Sequence, residues 1–267
     1  MTTEELAERL GRLLKRDARV LALFVAGSLA RGDADEYSDL DLVLIAQPEH
    51  HESLAALCRG YLQQCQEVVY WKPGGAPLQL QAITAEWLRC DFTILTPAAA
   101  RLRARAGLAV VWDRARIGET LRAAPGHDAE RAERIAAIID EFLRLLGLLE
   151  VVVGRGETLL GVQHAQRLRV QLVALLLEAD AAPDRRAALR LDSCLSEESH
   201  ALLRALPEAL PELASVRDAH IACARVFLPR ARTLAGNLGI PWPERFVSAT
   251  RRVWERLGLE LEDADPT

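Results

Sequence analysis

Residues 26–45 read AGSLARGDADEYSDLDLVLI. This stretch sets a Gly27-Ser28 bend directly behind the apolar run Val20-Leu21-Ala22-Leu23-Phe24-Val25-Ala26. A polar loop follows, and then two aspartates alternate with leucine at the head of a second apolar run. The unbroken run over 20–26 predicts a buried strand, and a second strand is predicted over 39–46. Strand side chains alternate faces, so Asp39 and Asp41 point one way and Leu40 and Leu42 the other. Two carboxylates side by side near a hydrophobic core are costly to keep ionised unless a cation lies between them. Magnesium suits the role: it is a hard ion that takes one or two carboxylates and completes its shell with water and phosphate oxygens. Gly27 permits a sharp turn and close approach of a ligand to the backbone. Ser28 offers a hydroxyl to a phosphate oxygen. Arg31 supplies a cation for a triphosphate, with an ion pair to Asp33 or Glu36 as its alternative use. Asp33, Asp35 and Glu36 read as a solvated loop that Ser38 shapes.

Working outward, Thr2 and Glu5 stand in capping-box spacing, and Leu6, Leu10, Leu13 and Leu14 give the helix behind them an apolar face. Beyond the second strand, a helix is predicted over 53–64 and strands over 68–71, 78–84, 87–95 and 108–112, with a helix over 98–106 that carries Arg101, Arg103 and Arg105 toward solvent. Character changes near residues 123–128. Past that point the pattern is helical almost throughout: Ile135, Ile138, Ile139, Phe142, Leu145, Leu146 and Leu149 recur at the spacing of one helix face, and further helices are predicted over 158–178, 212–235 and 243–257. The expected architecture is α+β, a mixed sheet with flanking helices in a first domain (1–125) followed by an all-α helical bundle (126–267).

Composition narrows the partners. The chain has 267 residues and a formal net charge of −5, an acidic balance that disfavours a long nucleic-acid substrate, which calls for a basic surface. Five cysteines, odd in number and without a C-x-x-C pair, indicate a reduced, cytoplasmic protein without structural zinc. The amino terminus lacks the basic start and apolar stretch of a signal peptide, and no apolar run reaches the ~18 residues of a membrane span.

One more acid stands out. Within Trp87-Leu88-Arg89-Cys90-Asp91-Phe92-Thr93-Ile94-Leu95, Asp91 lies amid apolar neighbours, where an unpaired carboxylate is expensive. Either it pairs with Arg89 at a sheet edge, or it joins Asp39 and Asp41 from a neighbouring strand.

Gly27-Ser28, the spacer 29–38 and Asp39-Leu40-Asp41 with its apolar flanks resemble the signature of the nucleotidyltransferase superfamily that includes DNA polymerase β. Together with the Trp87-x-Arg89-x-Asp91 segment, Arg155-Gly156-Glu157 as the start of a helix, and a helical second half, they resemble its small-molecule members, the lincosamide and aminoglycoside nucleotidyltransferases. The resemblance implies an acid on a later strand, here Asp91, as metal ligand or general base. It implies Asp39, Asp41 and Asp91 as the catalytic and metal-binding set, Gly27, Ser28 and Arg31 as nucleotide contacts, and Mg2+ and ATP as cofactor and donor. The expected reaction moves AMP from ATP to a hydroxyl of a small molecule, an antibiotic among the candidates, and releases pyrophosphate. The helical half is the acceptor side, where Glu157, His164 and Arg167 are candidates to line the cleft and Asp140, Glu141 and Glu150 to make it acidic, with plain solvent-facing acids and an ordinary surface or core histidine as the alternative. Two alternatives stand beside this reading: modification of a protein or RNA end, and a non-catalytic nucleotide-binding or antitoxin-like partner.

Overall fold

The computed structural model describes residues 1–75, 78–105, 107–122, 127–180 and 191–261, without the side chains of 127–129. Two compact units divide the chain, Met1–Pro125 and Gly126–Thr267.

The first unit opens with α1 (Thr3–Leu14), capped as its spacing foretells. Glu5 N donates to Thr2 Oγ1 at 3.2 Å and Thr2 N donates to Glu5 Oε2 at 3.0 Å. There follow β1 (Val20–Ala26), α2 (Gly27–Arg31), β2 (Leu40–Ala46), α3 (His51–Cys65), β3 (Val68–Pro73), β4 (Leu78–Thr84), β5 (Arg89–Leu95), α4 (Pro97–Ala100) and β6 (Leu108–Asp113). The strands form one mixed sheet in the order β3-β4-β5-β2-β1-β6. β2 and β5 run parallel while the other neighbouring pairs are antiparallel.

Alternation along the strands sorts the side chains into two faces. Leu40, Leu42 and Leu44 of β2 and Cys90, Phe92 and Ile94 of β5 pack in the cluster with Leu6, Leu10 and Leu14 of α1 and Leu54, Cys58 and Leu62 of α3. On the opposite face Ala22, Phe24, Val43, Ile45 and Leu95 cluster with Ala100, Ile117 and Leu121, with Ala26, Ala99 and Leu108 packed against them. Asp41 and Asp91, one residue out of phase with Leu40 and Cys90, belong to this second face.

Three sequence expectations shift. β2 starts at Leu40, so Asp39 ends the loop rather than opening the strand. β5 starts at Arg89 because Trp87, with φ +63°, closes the turn before it; that backbone costs a bulky residue roughly 1–2 kcal/mol. The helix expected over 98–106 stops at Ala100. Past it, Arg105 N donates to Arg122 O at 2.9 Å and Arg122 N to Arg103 O at 3.1 Å, so a tertiary bridge takes the backbone that helix propensity would have claimed. Arg101, Arg103 and Arg105 therefore do not share a helix.

The second unit is helical: α5 (His127–Gly147), α6 (Leu149–Arg155), α7 (Thr158–Ala179), α8 (Leu191–Cys194), α9 (Glu197–Ala205), α10 (Leu213–Asn237) and α11 (Glu244–Arg256). Its core gathers Ile135, Ile139, Phe142, Leu146, Leu168, Leu172, Phe227 and Trp254. Phe142 and Phe227 stack at 3.6 Å, and buried Trp254 donates its Nε1–H to Leu146 O at 3.0 Å. Gly161 lets α7 approach α10, since a β-carbon there would lie 2.7 Å from Val216 Cγ1. Arg155-Gly156-Glu157 is a junction rather than a helix start alone: Arg155 ends α6, Gly156 takes φ +68° and Glu157 precedes α7. No helix among the described residues is long and apolar enough to cross a membrane.

Candidate active site

The end of the sheet where β1 stops and β2 and β5 begin brings the candidate residues together. β1 and β2 are antiparallel, with Val25 opposite Leu42. Gly27, just past β1, therefore lies beside the start of β2. β2 and β5 are parallel in the register Leu40↔Cys90 and Asp41↔Asp91. Neighbouring strands lie about 4.8 Å apart, so Asp41 and Asp91 stand side by side on one face. Two acids fifty positions apart in sequence thus meet through strand pairing.

Gly27 is required here on two counts. Its φ of +64° belongs to the left-handed region, and an added β-carbon would collide with Oδ2 of Asp41. The backbone bend presses against the carboxylate with no room for a side chain. Next to it Ser28 is buried, and its Oγ has no hydrogen-bond partner among the described residues. A buried hydroxyl without a partner is uncommon and marks a place for an unfilled interaction. Arg31 pairs with Asp33 at 3.3 Å, the alternative use of that side chain. Ser38 organises the loop ahead of Asp39: Asp35 N donates to Ser38 Oγ, and Ser38 Oγ donates to Asp35 Oδ1, both at 2.9 Å.

The electrostatics record the crowding of like charge. Burial, with Asp39 and Asp91 nearby, pushes the Asp41 carboxyl up to about 6 despite the opposing pull of Arg31 and Arg89. Asp91 is also raised, by burial and then by Asp39, with Arg89 opposing. Arg89 is not the salt-bridge partner of Asp91. Its Nη2 instead donates to Tyr37 O at 2.7 Å, tying the β4–β5 turn to the loop before Asp39. The sequence held no signal for this tie, because it joins residues that only the parallel pairing brings close.

Hard oxygen donors, a buried hydroxyl and a glycine cradle fit a divalent cation with a phosphate. Among the described residues, no three His, Cys, Asp or Glu side chains converge closely enough to enclose an ion by themselves. The set read from the sequence as Asp39, Asp41 and Asp91 is thus not a closed cage by itself. Magnesium needs only one or two of them, the rest of its shell coming from water and phosphate.

The candidates in the helical unit fare differently. Glu141 is held by Arg144 at 2.6 Å and Glu150 by Arg256 at 2.8 Å. Asp140 is exposed. His164 is buried, with Nδ1 unpartnered among the described residues.

Residues 4–85 match the family model described as a nucleotidyltransferase domain. The match runs from α1 to just past β4, so it contains Gly27, Ser28, Asp39 and Asp41 and stops short of Asp91. The chain therefore carries a nucleotidyltransferase domain, and the resemblance read from its Gly-Ser and Asp-x-Asp elements holds. No curated protein sequence matches the chain. Among solved structures, an aminoglycoside 6-adenyltransferase from Bacillus subtilis is similar at 12% identity and a TM-score of 0.43, over 95% of this chain and 97% of that one. The Cid1 poly(U) polymerase bound to MgATP is similar at 15% identity and a TM-score of 0.30, over 54% of this chain and 42% of that one.

Proposed function

We propose that this enzyme transfers AMP from ATP to a hydroxyl of a small molecule and releases pyrophosphate, with magnesium as cofactor. The observation that carries the reading is the Gly27 bend against the Asp41 carboxylate, beside the buried and unpartnered Ser28 hydroxyl. An apolar core gains nothing from an orphaned hydroxyl next to crowded acids. A phosphate with its cation satisfies both.

Asp39 and Asp41, with Asp91 beside them, would hold the magnesium, which when bound neutralises phosphate charge. Ser28 Oγ donates to a non-bridging phosphate oxygen, and the absence of a side chain at Gly27 lets the phosphate chain lie against the backbone. Asp91, on the strand beside Asp41, accepts the proton of the attacking hydroxyl. The hydroxyl oxygen bonds to the α-phosphorus as the bond to the bridging oxygen of pyrophosphate breaks. Positioning and charge complementarity supply most of the acceleration in such transfers.

The test is pyrophosphate release from ATP and Mg2+ across a panel of aminoglycosides, lincosamides and other polyols, repeated with Asp39→Asn and Asp41→Asn. Release that depends on the acceptor and is lost in both variants supports the reading. Release unchanged by the substitutions would place the activity elsewhere. An absence of turnover across the whole panel would overturn the small-molecule acceptor while leaving the nucleotidyltransferase domain in place.

A further inference from the structure

Arg89 has two carboxylates within reach of its charge, and among the described residues it pairs with neither. It shares a face of β5 with Asp91, two residues on, because alternate side chains of a strand point the same way. Asp91 lies opposite Asp41 on β2, so the three side chains belong to one face of the sheet. The guanidinium charge pulls the carboxyls of Asp41 and Asp91 down, against the burial that raises them. An arginine beside carboxylates commonly grips one of them through two parallel N–H donors. Here its Nη2 donates instead to a backbone carbonyl, Tyr37 O, at 2.7 Å. A guanidinium clamped on Asp91 would close that acid to a metal ion. Bonded to a carbonyl, it leaves both carboxylates open.

The carbonyl it holds lies two residues before Asp39, the one acid of the three that stands in a loop rather than a strand. Strand pairing fixes Asp41 and Asp91 against each other. Asp39 has no such ladder. Bonds within the loop give it a shape: Ser38 N donates to Asp35 O at 3.1 Å and Tyr37 N to Asp35 Oδ1 at 3.0 Å. Two side chains from distant elements bond the carbonyls just ahead of Asp39. Arg89 takes Tyr37 O, and Thr3 Oγ1 of α1 donates to Ser38 O at 3.4 Å. The second bond is long and therefore weak, so of the two Arg89 carries the loop. Arg89 is itself firmly based, since it pairs with Ile83 of β4 and β5 is bonded to a strand on either side.

We propose that Arg89 is a positioning residue: by holding the Tyr37 carbonyl it sets Asp39 beside Asp41 and Asp91, so that a metal-bound triphosphate meets a carboxylate set already in place. The inference rests on the nucleotidyl-transfer reading. The test compares the parent with Arg89→Met, which loses charge and donor, and Arg89→Lys, which keeps the charge on a stem that ends short of the Nη2 position. Both retain the aliphatic stem, and a Tm near that of the parent shows that they fold; Arg89→Lys serves alone if Arg89→Met does not. Two quantities are read: amide exchange of residues 32–40 in the ligand-free protein, and calorimetric affinity for Mn2+ complexed with a nonhydrolysable ATP analogue. Arg89→Met is expected to exchange faster and to bind the complex about tenfold more weakly, the usual cost of losing a group that orients metal ligands. Affinity should follow exchange across the three proteins. A loss of affinity without faster exchange assigns Arg89 a role by charge alone and overturns the proposal. Faster exchange at unchanged affinity, or no change in either quantity in Arg89→Met, overturns it as well. If the parent does not bind the complex, the nucleotidyl-transfer reading falls, and this role of Arg89 with it.

Discussion

At the scale of single residues, the site is a place where the fold accepts instability. Asp41 is pressed between the backbone of Gly27 and the charge of Asp39 and Asp91, and its carboxyl rises to about 6. The unfolded chain holds that proton only below the ordinary carboxylate range, so the native state carries the penalty above pH ~6. Asp41→Asn should therefore raise stability at pH 8, by about 1–3 kcal/mol, and the advantage should shrink as pH falls through 6 toward 4. Thermal unfolding of parent and variant across that range checks it. The same variant should lose AMP transfer, so stability and activity move in opposite directions. Gly27→Ala should do harm on both counts. Its β-carbon meets Asp41 and its φ is left-handed, so a loss of about 1–2 kcal/mol is expected together with loss of ATP-analogue affinity in calorimetry.

At the scale of elements, the pairing of β2 with β5 builds the site from distant parts. The Gly-Ser and Asp-x-Asp halves are legible in sequence because they lie within residues 26–45, where apolar runs and turn residues set the strands locally. Asp91 is legible only as an odd acid in an apolar strand. Its position opposite Asp41 follows from register between strands far apart in the chain, which local pattern does not encode. The segment 101–105 misleads for a related reason: alanine and arginine favour helix, but the backbone bonds to Arg122 decide the outcome. The helical half reads more plainly, because a helix carries its own period. Its tightest seam is visible only in three dimensions. Gly161→Ala would set a methyl 2.7 Å from Val216 Cγ1 and 2.9 Å from Val152 Cγ1. Overpacking of this kind should cost about 1–3 kcal/mol, read as a lower denaturant midpoint without loss of helical content.

At the scale of the whole molecule, acid sensitivity should come from the helical unit as well as from surface acids. His220 is fully buried, with its Nδ1 donating to Val216 O at 2.7 Å and its Nε2 unpartnered among the described residues. Burial holds its pKa down at about 4. The unfolded chain takes up this proton near pH 6.5 and the native state only near 4, so the unfolded state gains between those values. Stability should fall as pH drops from about 6.5 to 4, by up to about 3 kcal/mol, and His220→Gln should flatten that slope in chemical denaturation. The site in the first unit behaves in the opposite sense, because the penalty at Asp41 lessens as the pH falls over much of the same range.

Everything functional turns on whether crowded acids beside a glycine-serine bend receive a metal-bound triphosphate. Crystals soaked with Mn2+ and a nonhydrolysable ATP analogue decide it most directly. The expected result is an anomalous peak against Asp41, shared with Asp39 or Asp91, and a phosphate oxygen within hydrogen-bond distance of Ser28 Oγ. A nucleotide bound elsewhere on the chain, with Ser28 untouched and no metal at Asp41, would contradict it.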